Sequence, residues 1–130
     1  MDSITETKRN SKVLSSKRFS DAFRGIRVFV VTTRHVYVHI LSALGVFVLG
    51  FYLDVSSLEW IVLVLSVGFV LVVEALNTAI EIDIDLTSPE YHPYARDTKD
   101  VAAGAVLISI FTACVVGLIV FVPKIIALFS

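Results

Sequence analysis

The sequence predicts an all-α membrane protein, with an N-terminal amphipathic surface helix followed by three transmembrane helices. Three observations predict it. The chain of 130 residues is 56% hydrophobic and its mean hydropathy is +0.84, well above an ordinary soluble domain. Its apolar residues gather into three runs separated by short polar gaps. Its basic residues are unevenly placed: eight of the eleven Lys/Arg precede residue 35, Arg96 and Lys99 lie in the second gap, and the first gap, at 54–59, holds Asp54 and Glu59 but no Lys or Arg. By the positive-inside rule the N-terminus and the 87–100 gap face the cytoplasm, and the 54–59 turn faces outward. The length allows one membrane domain, expected at 17–130.

Residues 1–16 are polar, rich in Ser, Thr and Lys, and lack a helical period, so a flexible cytoplasmic tail is expected there. They contain no apolar core of a cleavable signal peptide. The character changes at residues 17–33. Phe19, Ala22, Phe23, Ile26, Phe29 and Val30 recur with a helical period, while Lys17, Arg18, Asp21, Arg24 and Arg27 occupy most of the remaining surface. A helix of this kind lies in the headgroup plane with its basic side chains on anionic lipid, either as a plain anchor or as the flank of a lipid site.

The first span is expected at 35–53. It is apolar apart from His39, Ser42 and the tyrosines, and it is short, which snorkelling of Arg34 and local bilayer thinning accommodate. Tyr52 and Trp60 flank the outer turn, where an aromatic belt places them. The second helix, expected at 57–86, has a length of about 45 Å and crosses the bilayer into the cytoplasm. Pro89 and Pro93 break it. The third helix, expected at 94–123, opens with Arg96, Asp97, Lys99 and Asp100, continues through the apolar run 101–122 and reaches Pro123 at its outer end.

The chemistry concentrates at the lower end of the second helix. Glu74, Asn77, Thr78, Glu81 and Asp85 fall within an arc of roughly 100°, while Asp83 points away. Ionisable groups at membrane depth are costly and by default functional. With Trp60 at the outer interface, Glu74 lies about 21 Å below it, Glu81 about 10 Å lower again and Asp85 about 16 Å lower. The upper carboxylate is therefore placed to meet a lipid hydroxyl as general base. The lower ones meet a water-soluble reactant or a metal. Oxygen-only clusters suit Mg²⁺, and Lys99 beside them can neutralise a transferred phosphate. The competing reading is a polar helix end with snorkelling acids and a structural salt bridge to Lys99. Neither GxxxxGK[ST] nor GxGxxG occurs, so any nucleotide binds by another design. His35 and His39 share a helical face, but no third ligand follows in a recognisable pattern; a hydrogen-bonding role is expected. Cys114, the single cysteine, excludes an intrachain disulfide and reads as a packing residue. No nucleic-acid partner is expected.

The pattern Glu74-x-x-Asn77-Thr-Ala-Ile-Glu81-x-x-x-Asp85, followed by Lys99-Asp100-x-Ala-Ala-Gly-Ala-Val, resembles the prokaryotic diacylglycerol kinase family of small membrane lipid kinases. The Pro-Glu-Tyr-His-Pro loop at 89–93 is similar to the undecaprenol kinase branch, and the likeness extends from about Arg18 to Val122. The resemblance implies a homotrimer in the bacterial cytoplasmic membrane, with active sites between subunits near the cytoplasmic face. It implies transfer of the ATP γ-phosphate to a lipid alcohol, undecaprenol or diacylglycerol, with Mg²⁺. It implies Glu74 as general base, Glu81 as metal ligand, Asn77, Lys99 and Asp100 at the ATP, and Asp85 as a polar residue near the nucleotide. One departure stands out. The family usually carries Glu-x-Asn just before the first span, with the Glu on the metal, whereas the aligned residues here are Thr33-Arg34-His35. Thr33 is neutral and a weak Mg²⁺ ligand. A weak or silent member that binds lipid or nucleotide is therefore the alternative to an active kinase, and a small transporter with an acidic pathway is a third reading.

Overall fold

The computed structural model describes the backbone of residues 2–130 and the side chains from Val13 onward. It contains four helices: α1 (Asp2–Thr32), α2 (Val36–Tyr52), α3 (Ser57–Thr87) and α4 (Pro93–Leu128). They fall into two units, Met1–Arg34 and His35–Ser130.

In the first unit, α1 begins well before the expected residue 17. Most of the expected tail lies outside the residues whose side chains are described; Val13–Ser16 are helical and exposed. Phe19, Phe23 and Ile26 are exposed on this helix, as a surface-lying amphipathic segment requires. Its last turn closes with the Thr33 N–H donating to the Phe29 carbonyl at 2.9 Å.

In the second unit, α3 and α4 form the main packed pair. They run antiparallel, since Glu59 meets Lys124 at one end and Asp85 meets Lys99 at the other. Both are long and apolar enough to cross a membrane, whereas α2 at 17 residues reaches that length only when taken with the helix before it. Many large side chains, among them Leu65, Leu107, Phe111, Leu118 and Ile119, stay exposed. Such a surface is a liability in water and ordinary against lipid tails or a second copy. Inside the helices the hydroxyls turn back on the backbone: Ser66 donates to the Val62 carbonyl, Thr78 to Glu74 and Thr112 to Ile108, at 2.8–3.1 Å. This satisfies polar groups where no water is at hand.

The turns follow local chemistry. Ser56 caps α3 in a reciprocal box, its hydroxyl accepting from the Glu59 N–H and its own N–H donating to the Glu59 carboxylate at 2.7 Å. Asp54, at φ +50°, supplies the left-handed residue that lets the chain reverse. Pro93 starts α4, where its missing N–H costs nothing, and the His92 ring accepts from the Tyr94 N–H at 3.2 Å. At the other end the expectation of a stop at Pro123 is corrected, because α4 continues to Leu128. One backbone bond is lost there, but Val120 and Phe121 are anchored in the core beside Val55 and Leu63, and Lys124 reaches Glu59 at 3.1 Å.

That core lies at the α2–α3 end. Trp60 stacks on Phe47 with ring centroids 5.9 Å apart and tilts against Phe51 at 4.8 Å. Gly50 lies directly beneath, and a Cβ there would approach the Trp60 ring to 2.6 Å. Because Phe47 and Phe51 hold the ring, it cannot swing aside freely. Gly50→Leu is expected to destabilise the protein by about 1–3 kcal/mol through overpacking, read as a lower thermal midpoint in detergent; an unchanged or raised midpoint would show that the ring yields.

Candidate functional site

The acidic stripe lies on α3 as its helical period requires, and burial divides it. Glu74 is 8% exposed and Thr78 6%; Asn77 is half-buried, and Glu81 and Asp85 are exposed. Glu74 is thus enclosed by the helix packing, while about two to three turns further on the same stripe opens to the surroundings.

His39 of α2 places Nε2 3.6 Å from Glu74 Oε1. The other oxygen, Oε2, is buried with no hydrogen-bond partner, as is Oδ1 of Asn77. The Asn77 amide turns its NH₂ group toward Glu81 Oε1 at 3.4 Å. Buried polar atoms left without partners cost on the order of 1–3 kcal/mol each, which marks this spot as one that a ligand can complete. An apolar groove of about 230 Å³ adjoins it, bordered by His39, Ser42, Val70, Leu71, Ile110 and Cys114 among others.

The α3–α4 end forms a second, polar cavity of about 310 Å³. Asp85, Ser88, Glu90, Tyr91, His92, Arg96, Lys99 and Asp100 line it together with Ile84, Pro89 and Ala95. Lys99 bridges to Asp85, and Arg96 Nε lies 3.6 Å from Asp100 Oδ2. The Asp85 hydrogen bond chiefly, and the negative charge of Asp85 and Glu81, hold the Lys99 ammonium above the ordinary lysine range, against the opposing effect of burial. Lys99 precedes the apolar run 101–122. It is therefore charged throughout the neutral range, and on the alkaline side the pair loosens as pH rises through that raised value.

Of the residues singled out in sequence, Asp85, Lys99 and Asp100 come together in the polar cavity. Glu74 and Asn77 lie further along α3, with Glu81 between the two zones. Thr33 belongs to the first unit, half-buried after the end of α1. Among the described residues no three His, Cys, Asp or Glu side chains converge on one point, so none of these residues forms a complete metal cage. The donors present are hard oxygens, and a Mg²⁺ ion that takes most of its ligands from phosphate and water needs only one or two of them. Two features went unread in the sequence. Arg96 and the His92–Tyr91–Glu90 side chains line the polar cavity, and His39, expected only to hydrogen-bond, faces Glu74. The antiparallel register carries that second signal, since residue pairs joining α2 to α3 sum to about the same number at Gly50–Trp60 and His39–Glu74.

Comparison with known proteins places these residues in context. The family described as prokaryotic diacylglycerol kinase matches residues 20–121. The undecaprenol kinase of Bacillus subtilis is 40% identical over 108 residues, covering 83% of this chain and 88% of the relative. A diacylglycerol kinase of Synechocystis is 33% identical over 111 residues, 85% of this chain and 63% of the relative. The diacylglycerol kinase of Escherichia coli K12 is 40% identical over 68 residues, 52% of this chain and 56% of the relative.

The two zones predict different responses to substitution. Because the Asp85–Lys99 pair is exposed, Lys99→Ala is expected to leave the thermal midpoint of the ligand-free protein essentially unchanged. A large fall in differential scanning fluorimetry would mean that the pair is a structural strut rather than a site awaiting a ligand.

Proposed function

The chain belongs to the prokaryotic diacylglycerol kinase family and is a lipid kinase, and from that premise we propose that it transfers the γ-phosphate of ATP to undecaprenol at the cytoplasmic face of the bacterial inner membrane. The single observation that carries this reading is the division of the α3 stripe: a buried carboxylate with an unpartnered oxygen at Glu74, and exposed acids beside a cationic Lys99 two to three turns below. A lipid alcohol needs the first kind of place and a metal–nucleotide complex needs the second.

In this account Glu74 accepts the proton of the acceptor hydroxyl as its oxygen attacks the γ-phosphorus, and the bond from that phosphorus to the β-phosphate oxygen breaks. Lys99 turns from Asp85 to the phosphates and compensates their charge, with Asn77 and Asp100 completing the contacts that hold the nucleotide and Asp85 alongside. Glu81 would hold Mg²⁺, which would supply neutralisation of the phosphate charge. Phosphoryl transfer requires chiefly such positioning and compensation. The protein acts as a homotrimer with its N-terminus cytoplasmic, and its exposed apolar faces on α3 and α4 meet lipid and neighbouring subunits.

Undecaprenol is preferred over diacylglycerol because the B. subtilis relative, covered over 88% of its length, is an undecaprenol kinase. Thr33 supports a second reading. It stands where the family resemblance expects a second metal carboxylate, so a weak or silent member is the alternative.

Purified protein supplied with labelled ATP, Mg²⁺ and either lipid tests both. The expected result is labelled undecaprenyl phosphate, lost on chelation of the metal and reduced at least about 100-fold in Glu74→Ala. Labelling of diacylglycerol alone would overturn the acceptor assignment. No product from the wild type, with product restored by Thr33→Glu, would establish the silent member. In an active protein, Thr33→Glu is expected to lower the Mg²⁺ concentration at half-maximal rate, since it adds an oxygen ligand.

A further inference from the structure

Glu74 is a poorly supported carboxylate. It is 8% exposed, and the two oxygens differ: Oε1 faces His39 Nε2 at 3.6 Å and Oε2 has no partner. The carboxylate sits at the end of a three-bond side chain, so it rotates unless something holds it. On its own helix the Thr78 hydroxyl bonds the Glu74 backbone carbonyl and the Asn77 NH₂ turns toward Glu81.

His39 has the right place to do the holding. It rises from α2, a different helix, and its side chain is only 13% exposed, so the ring is fixed by packing. It also borders the apolar groove with Val38, Ser42, Val70, Leu71 and Cys114. The ring therefore sits between that groove and Glu74. The 3.6 Å separation is a few tenths of an ångström beyond a direct hydrogen bond, and such contacts commonly tighten once substrate is bound.

Resting on the proposed role of Glu74 as base, we propose that His39 is its positioning residue: the Nε2–H engages Oε1 and so leaves Oε2 as the oxygen presented to the acceptor hydroxyl. A buried carboxylate with one oxygen tethered has one remaining oxygen free to take a proton. Without the tether both oxygens sample several orientations, and misplacement by about 1 Å costs on the order of 100-fold in rate. His39 takes no proton from the substrate and binds no phosphate in this scheme. Its loss therefore lowers kcat and leaves nucleotide binding alone.

The test compares full-length His39→Leu, His39→Gln and Glu74→Gln in detergent micelles with lipid acceptor. His39→Leu removes the donor; His39→Gln keeps an amide N–H at the distance of Nε2. The expected result is a fall in kcat of about 10- to 100-fold in the Leu variant, an unchanged KM for Mg-ATP, and recovery of most of the rate in the Gln variant. If the Leu variant does not fold, His39→Asn, whose amide stops short of the Nε2 position, takes its place in the comparison. Wild-type kcat in the donor-lacking variant, or equal loss in both variants of a folded protein, would overturn the inference. Glu74→Gln separates the two ideas. If it stays active, the base assignment has failed. If it is inactive while His39→Leu is fully active, only the positioning role has failed.

Discussion

Burying a carboxylate among apolar helices is expensive, and most of what distinguishes this chain follows from how Glu74 is accommodated. A carboxyl group removed from water needs a partner, a ligand or a route back to solvent. Glu74 has one imperfect partner in His39 and one bare oxygen. Its neighbours along the same stripe, Glu81 and Asp85, are exposed and carry no such penalty. The helix period thus lines up acids whose surroundings differ sharply over three turns. A reaction between a membrane alcohol and a charged, water-soluble donor needs that gradient.

Two ion pairs mark the register of the helices that carry the gradient. Glu59–Lys124 closes one end of the α3–α4 pair and Asp85–Lys99 the other. Asp85–Lys99 is exposed and adds little stability, whereas Glu59–Lys124 is half-buried. Each pairing shows which residue of α4 lies opposite which residue of α3. At the first end the pair is backed by the capping box of Ser56 and Glu59 and by the Trp60 aromatic cluster, which makes that end rigid. At the second end the pair lines an open polar cavity, and Lys99 is available to exchange Asp85 for a more highly charged partner. Rigidity and exchangeability are thus at opposite ends of the same helix pair.

Much of this was legible in the sequence, for reasons that can be named. The bounds of α3 follow from hydropathy, the Ser56 cap and the two prolines, and the structure agrees to within a residue. Pro123 misled because a proline ends a helix only when nothing beyond it is held; Lys124 is held by Glu59, so α4 runs on to Leu128. The polar composition before residue 17 concealed helical backbone, since the first helix has no apolar stripe there to reveal its period. The carboxylate stripe was legible because period alone defines it. Its partners were not, because His39–Glu74 and Glu59–Lys124 join residues 35 and 65 positions apart and depend on antiparallel register.

The central claim is that the upper carboxylate serves the lipid alcohol and the lower groups serve the nucleotide. Calorimetric titration of Mg-ATP into Glu74→Gln and Lys99→Ala tests it most directly, because binding is read without turnover. The account predicts that Glu74→Gln binds Mg-ATP as tightly as the wild type. It predicts that Lys99→Ala binds about tenfold or more weakly, from the loss of a charge-assisted contact to phosphate. Equal weakening in both variants, or weakening in Glu74→Gln alone, would contradict the division of the helix into a lipid end and a nucleotide end.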